Sequence, residues 1–133
     1  MKTYIYENKP EDRDKINAKK MIVIGGTGVG KTTLIDTIVN YVLGIKRHDE
    51  FRYRIIDDSA KDKAESITSE VAEYFIEETK FTGHTPIIIY DTPGFGDTKG
   101  HEHDEQNFNK IAEYLKKKIG YIHAVCFVGR AVD

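Results

Sequence analysis

Short apolar runs along this chain alternate with segments in which apolar residues recur at helical spacing. Residues 21–24 are continuously apolar and end in glycines, which is typical of a parallel strand covered on both faces. Apolar residues then recur at helical spacing over residues 31–43, and Gly44 stands where a helix C-terminus favours a left-handed residue. The pattern therefore predicts a strand followed directly by a helix.

The second half of the chain predicts two adjacent strands, a helix and a final strand. Residues 71–77 alternate with strand periodicity, and a turn signal at 82–85 separates them from the apolar run 87–90. Strands joined so closely are antiparallel, because a parallel return needs a crossover of about a dozen residues. Residues 108–119 then predict a helix and residues 122–128 a strand, so we expect an α/β fold with a mostly parallel sheet and one antiparallel edge strand.

Polar segments suggest how the chain is organised. Residues 1–19 are polar and predict a weakly ordered N-terminal extension, whereas residues 20–133 carry the elements of one domain. The irregular stretch 45–66 predicts a long loop with one short strand near residues 51–56. A chain of 133 residues can bury one substantial core.

Composition narrows the classes of partner. The net charge of -2 gives no general attraction to nucleic acid, and no run approaches the roughly twenty apolar residues of a membrane span. The single cysteine, Cys126, lies in an apolar run and predicts a small buried hydrophobe. With no internal disulfide and no signal-peptide pattern, we expect a reducing, cytoplasmic setting.

The glycine-rich stretch GGTGVGKT after the first strand matches the phosphate-binding pattern G-x-x-x-x-G-K-[ST] in full. Its glycines let backbone N–H groups approach phosphate oxygens, and Lys31 supplies a cation to the β- and γ-phosphates. Thr32 supplies a hydroxyl for Mg²⁺ and Thr33 one for the α-phosphate. The predicted nucleotide-binding residues are Gly25, Gly26, Thr27, Gly28, Val29, Gly30, Lys31, Thr32 and Thr33.

The stretch DTPGFGDT after the apolar run 87–90 supplies a second phosphate motif. An Asp at the end of a strand beside the phosphate loop can hold Mg²⁺, and a Gly three residues later can offer its N–H to the γ-phosphate. Asp91 and Gly94 have that spacing, which is a weak signal alone and a strong one downstream of the glycine-rich loop.

The two motifs together resemble the septin and immunity-associated (chloroplast-import) branch of the P-loop GTPases. The resemblance covers about residues 20–130 and implies the three-layer P-loop NTPase fold, GTP or GDP as ligand, and Mg²⁺. It also implies a switch threonine before the second strand, for which we choose Thr68 as catalytic and metal-binding residue, with Ser66 and Ser69 as rivals. Lys31 is the other predicted catalytic residue.

Phe95 stands where small signalling GTPases carry a glutamine that positions water, so we expect slow GTP hydrolysis or help from another group. Such families often pair two nucleotide sites face to face, which implies a homodimer across the nucleotide face. Candidates for the helping group are Arg47, Arg52, Arg54, His101 and His103.

Other interpretations compete with a Mg²⁺-dependent assembly switch. Phe95 also fits a scaffold module that binds nucleotide with negligible turnover. An ATPase is another alternative, because the Asn/Thr-Lys-x-Asp motif that recognises guanine is absent from the sequence. The sequence ends just after the fourth predicted strand, so we expect a GTPase domain that is incomplete at its C-terminus, with an uncovered sheet edge. The stretch HEHD at 101–104 allows a metal site, although a solvated acidic loop fits it better.

Overall fold

A four-stranded sheet forms the centre of the molecule. The computed structural model describes residues 1–26, 30–55, 71–92 and 101–129. Strands β2 (Lys19–Gly25), β4 (Ala72–Ile76), β5 (Ile87–Asp91) and β6 (Ala124–Val128) form this sheet in the order β4-β5-β2-β6. β2 runs parallel to β5 and β6, whereas β4 runs antiparallel to β5 at one edge. The mixed sheet, mostly parallel with one antiparallel edge strand, agrees with the sequence-based expectation.

Helix α2 (Lys31–Val42) packs against one face of this sheet. Its apolar residues Ile35, Val39 and Val42 share a buried cluster with Val23 of β2 and Ile89 of β5. The helix ends as predicted: Gly44 has φ +80°, and a Cβ there would lie 2.8 Å from the Phe81 ring. Backbone conformation and close packing thus both favour glycine at this turn.

Helix α3 (His101–Tyr114) contributes to a second cluster of buried residues. Ile111 of α3 packs there with Ile22, Ile88 and Tyr90, which are neighbours in sequence of the strand residues in the first cluster. Successive side chains of a strand point to opposite faces of the sheet, so neighbouring strand residues belong to two different clusters, one containing α2 and the other α3. A π-helical turn, Leu115–Ile119, follows α3.

The helical assignment of residues 101–107 corrects the sequence analysis. The stretch HEHD was expected to be a solvated loop, but it forms the first turn of α3. Its polar sequence lacks the apolar periodicity from which the rest of the helix was predicted. The side chains of His101 and His103 are outside the described part of the structure.

The N-terminal residues form regular structure, which the prediction of a weakly ordered extension missed. Strand β1 (Lys2–Ile5) pairs in parallel with β3 (Phe51–Arg54), and helix α1 (Asp12–Lys15) is a single turn. The short strand predicted near residues 51–56 is thus confirmed, although its partner is the N-terminus. The two strands make a separate two-stranded sheet.

Strand β6 lies at the second edge of the central sheet and is largely exposed. Val125 and Phe127 are 51% and 77% exposed. Cys126, which was expected to be buried, is half-buried because it belongs to this edge strand. Within the described residues, none of the helices has the length and apolar character that a membrane crossing requires.

Candidate functional site

The two predicted phosphate motifs begin at the same end of two neighbouring strands. β2 and β5 are parallel and adjacent, and Val23 pairs in register with Asp91. β2 ends at Gly25, and the described chain resumes at Gly30, immediately before α2. Because carboxyl ends of parallel strands share one edge, the start of α2 and the end of β5 meet there.

Gly30 occupies the N-terminal end of α2 in a left-handed conformation. Its φ is +94°, and a Cβ there would meet no atom within 4 Å, so backbone conformation and not space favours glycine. Its carbonyl accepts the first helical hydrogen bond from the Leu34 N–H at 2.9 Å. No side chain at this position caps the helix, which suits an end whose N–H groups bind an anion.

Lys31 and Asp91 form a buried ion pair at this edge. The Lys31 Nζ lies 2.8 Å from the Asp91 Oδ1. Lys31 is only 7% exposed and Asp91 is fully buried. Breaking such a pair by removing one partner typically costs about 3–5 kcal/mol, because the remaining charge stays buried. The cation of one motif and the carboxylate of the other are therefore brought together.

Thr92 completes the surroundings of Lys31, and sequence reasoning missed this role. Lys31 Nζ donates a hydrogen bond to the Thr92 carbonyl oxygen. The Thr92 hydroxyl in turn donates to the Val23 carbonyl at 2.8 Å, which ties the end of β5 to β2. A threonine directly after the strand-ending Asp was the available signal, but its hydrogen bonds depend on tertiary pairing.

The other predicted site residues divide into described and undescribed positions. Gly25 ends β2 and Gly26 follows it, while Thr32 is half-buried and Thr33 is exposed in the first turn of α2. The remaining predicted residues lie outside the described part of the chain, and they are Thr27, Gly28, Val29, Thr68 and Gly94. Three further residues discussed above also lie outside the described part: Ser66 and Ser69, the alternatives to Thr68, and Phe95, which replaces the water-positioning glutamine.

The donor set at this edge fits a magnesium ion. Asp91 offers a buried carboxylate and Thr32 a hydroxyl at the start of α2. Hard oxygen donors of this kind, completed by water and phosphate, are what Mg²⁺ prefers in proteins. Among the described residues, no cluster of three or more His, Cys, Asp or Glu suited to a metal occurs. The side chains of the HEHD stretch lie outside the described part of the structure, so that alternative stays untested.

Two polar side chains of α2 hold β3 in place, and we call Asp36 and Asn40 the α2 latch. Asn40 bonds both backbone groups of Tyr53: its Nδ2 donates to the carbonyl and its Oδ1 accepts from the N–H, each at 2.8 Å. Asp36 Oδ1 accepts from the Ile55 N–H at 2.9 Å. Since Asn40 is near the end of α2 and Asp36 nearer its start, β3 runs back toward the Lys31 end of the helix.

The arginine candidates differ in position relative to Lys31. Arg52 donates hydrogen bonds to the carbonyls of Arg47, Asp49 and Phe51, in the turn beyond the far end of α2. The two ends of this helix are separated by about 16 Å. Arg54 lies closer to the start of α2, where its Nε is 3.5 Å from the Asp36 Oδ2. Arg47 and Arg52 are thus poorly placed to assist their own site.

Known proteins with similar sequences include one that is named for GTP binding. The chain is 32% identical over 117 residues to "GTP-binding protein A" of Dictyostelium discoideum, covering 88% of this chain and 21% of that protein. It is 33% identical over 84 residues to "Large ribosomal subunit assembly factor BipA" of Buchnera aphidicola, covering 63% of this chain and 13% of that protein. The chain therefore spans about a fifth or less of these relatives.

A third similarity is to "Chromosomal replication initiator protein DnaA" of Lacticaseibacillus paracasei, at 29% identity over 98 residues, which covers 73% of this chain and 21% of that protein. No solved structure matches the chain. The family model described as Septin matches residues 16–125. That span includes both phosphate motifs, the buried Lys31–Asp91 pair and strands β2, β4 and β5 of the central sheet. The match shows that this chain belongs to the septin family.

Proposed function

We propose that the chain binds guanine nucleotide and hydrolyses GTP slowly, as a Mg²⁺-dependent conformational switch that controls assembly. The observation that carries this proposal is the buried Lys31–Asp91 pair at the carboxyl ends of two adjacent parallel strands. Membership of the septin family and similarity to a protein named for GTP binding support guanine as the base. The branch of immunity-associated GTPases is not needed for this proposal.

Each described residue of the site has a chemical role in this proposal. Lys31 binds the β- and γ-phosphates, and the N–H groups at the start of α2 bind phosphate oxygens. Thr32 and Asp91 hold Mg²⁺, together with Thr68 of the undescribed segment, and Gly94 donates its N–H to the γ-phosphate. Bound Mg²⁺ neutralises the negative charge that the phosphate oxygens develop during transfer.

The switch lies within residues 45–70 and 91–104, and described residues of both segments are held by the rest of the fold. The α2 latch holds Ile55 through its N–H, and Thr92 is held on Val23. Residues 45–55 of the first segment carry β3 and are bonded to α2. Contacts to the γ-phosphate order the parts of the two segments that approach the nucleotide, and hydrolysis releases them.

The proposal extends to the surroundings of the site. The two helices cover the two faces of the sheet in the three-layer arrangement of P-loop NTPases, and residues 20–133 form the N-terminal part of the GTPase domain. The protein is cytoplasmic, and two copies pair across the nucleotide face. We expect no nucleic-acid partner, because the net charge of -2 gives no general attraction to nucleic acid.

A measurement of phosphate release from GTP by the full protein distinguishes a GTP-hydrolysing switch from a scaffold module with negligible turnover. We expect sustained release with Mg²⁺, slow because Phe95 cannot position water, and loss of that release in Lys31→Ala. Lys117→Ala is the matched control, because Lys117 is exposed in the helical segment after α3 and pairs with the nearby, exposed Glu113. Binding without sustained release would favour the scaffold module instead.

A further inference from the structure

A polar cavity of about 360 Å³ lies between the N-terminal segment and the central sheet. Asp12 and Lys15 of α1 line it from one side, and Glu73 of β4 and Tyr90 of β5 line it from the sheet. Tyr90 belongs to the second buried cluster, which contains α3, whereas α2 packs in the first. The cavity is therefore on the opposite face of the sheet from the helix that begins at Lys31.

The Tyr90 hydroxyl offers a hydrogen-bond donor to this cavity. Tyr90 is 3% exposed, and its hydroxyl forms no hydrogen bond with another residue that the structure describes. Burial and the nearby Glu73 raise the pKa of Tyr90 to about 12, so the phenol keeps its proton at neutral pH. Buried hydroxyl groups usually have a partner, because an unpaired buried donor is costly. An acceptor on a ligand in the cavity would supply that partner.

The charged groups that line the cavity balance one another. Two carboxylates, Asp12 and Glu73, stand beside two ammonium groups, Lys15 and Lys20. Glu73 is already engaged, since Lys15 Nζ lies 2.6 Å from its Oε1 and the Tyr114 hydroxyl donates a hydrogen bond to it. A lining without net charge favours a ligand that carries both signs of charge over one that brings an unbalanced charge.

Apolar surface is present beside these polar groups. Ile16 and Ile88 line the cavity together with Tyr121, and Lys20 Nζ lies 4.4 Å from the centre of the Tyr121 ring. Binding sites for small molecules combine apolar walls of this kind with a few polar groups that fix the orientation of the ligand. A short aliphatic group on the ligand therefore has apolar side chains to contact.

We propose that this cavity binds a small zwitterion, an α-amino acid with an aliphatic side chain, between α1 and the sheet. The ligand carboxylate accepts a hydrogen bond from the Tyr90 hydroxyl and is attracted by the Lys20 ammonium, while the ligand ammonium pairs with Asp12. The aliphatic side chain packs on Ile16 and Ile88. This site goes beyond the proposed function and does not depend on nucleotide binding.

NMR titration of the nitrogen-15-labelled full protein, without nucleotide, tests the proposal with three ligands. Leucine is the zwitterion, 3-methylbutylamine lacks its carboxylate, and 4-methylpentanoate lacks its ammonium. We expect leucine to shift the amide signals of Lys15, Ile88 and Tyr90 saturably, and each analogue to bind at least about tenfold more weakly.

Two variants assign the two ends of the ligand. Tyr90→Phe should weaken leucine binding at least about tenfold, because the donor to the carboxylate is lost, whereas Tyr41→Phe, at a 67% exposed phenol, should bind as wild type. Asp12→Asn should weaken the binding of leucine but not that of 4-methylpentanoate, which has no ammonium. Because Asp12 is exposed, this second variant stays informative even where Tyr90→Phe is unstable.

Three results would overturn the proposal. The first is the absence of saturable shifts at these amides up to about 10 mM leucine. The second is equal affinity for leucine and its two analogues, which would show that the two charges are not recognised together. The third is leucine binding that is unchanged in both Tyr90→Phe and Asp12→Asn.

Discussion

At Gly30 the backbone conformation, and not the space around a Cβ, favours glycine. Its φ of +94° is left-handed, while the space around its missing Cβ is open. We therefore predict that Gly30→Ala lowers the free energy of unfolding by about 1–2 kcal/mol without a steric clash. Urea denaturation measures this loss. Gly129→Ala is the matched control, since its Cβ also meets open space and its backbone is not left-handed, and an equal loss there would contradict the explanation.

The raised pKa of Tyr90 should make the stability of the folded protein depend on pH in the alkaline range. Burial in the second cluster, with a smaller contribution from nearby Glu73, raises the pKa of Tyr90 to about 12 from its usual 10.0. A raised pKa means that the folded state keeps the phenol proton where the unfolded state has lost it. The stability from this group is therefore fully present below about pH 10 and declines from there to about pH 12.

Urea denaturation of wild type and Tyr90→Phe as a function of pH checks this sign. The stability of wild type relative to Tyr90→Phe should be constant from pH 7 to 9 and should then fall between about pH 10 and 12. A difference that stays constant up to pH 12 would contradict the assignment to Tyr90. The comparison at pH 7 to 9 serves as the internal control for packing changes.

The structure brings two of the predicted site residues together, and their roles in binding stay predictions. Lys31 opens α2 and Asp91 ends β5, and each belongs to a recognisable sequence pattern at that element boundary. Their direct contact was not predicted, because it depends on how the two motifs approach each other in space. The role of Thr92 depends likewise on the neighbouring strand, which sequence alone does not position.

At the scale of elements, the α2 latch makes a prediction about how β3 is held. Asn40→Ala removes the reciprocal hydrogen bonds to the Tyr53 backbone and should cost about 1–3 kcal/mol. Urea denaturation measures the cost, and amide exchange at Tyr53 should become faster. Asn109→Ala, on an exposed position of α3, is the matched control. Equal effects of the two variants would show that the latch adds no stability.

Elements with strong periodicity were predicted well, and elements that depend on distant partners were not. Helix α2 and the antiparallel pair β4 and β5 follow the predicted pattern closely. β1 was missed because it has four residues and is stabilised by pairing with β3, about fifty residues away, through ring contacts such as those of Tyr4 with Phe51 and Tyr53. The sequence near β1 does not indicate that β3 is its pairing partner.

At the scale of the whole molecule, the positions of the arginines bear on assistance between subunits. Arg47 and Arg52 lie at the far end of α2 from Lys31, and Arg52 is held by three backbone carbonyls. We predict that GTP hydrolysis per molecule rises with protein concentration, because in the proposed dimer a second copy would supply the group that replaces a water-positioning glutamine. Turnover measured over a dilution series checks this. A rate per molecule that is independent of concentration would rule out help in trans.

The sequence predicted the α/β class of the fold but not the order in which all the strands lie in the sheet. The order of strands and helices indicated an α/β sheet with one antiparallel member, which the structure has. The position of β6 beside β2, and with it the exposure of Phe127, could not be predicted, because apolar composition indicates a strand without saying which neighbours it has. Cys126 was expected to be buried for the same reason.

Competition binding tests the central claim most directly. Fluorescent GDP bound to the full protein in Mg²⁺ should be displaced by GTP at concentrations where ATP leaves it bound, and Lys31→Ala should lose most of the binding. That result would support a guanine-nucleotide site built on Lys31 and Asp91. Displacement by ATP as effective as that by GTP, or no binding of either nucleotide, would contradict it.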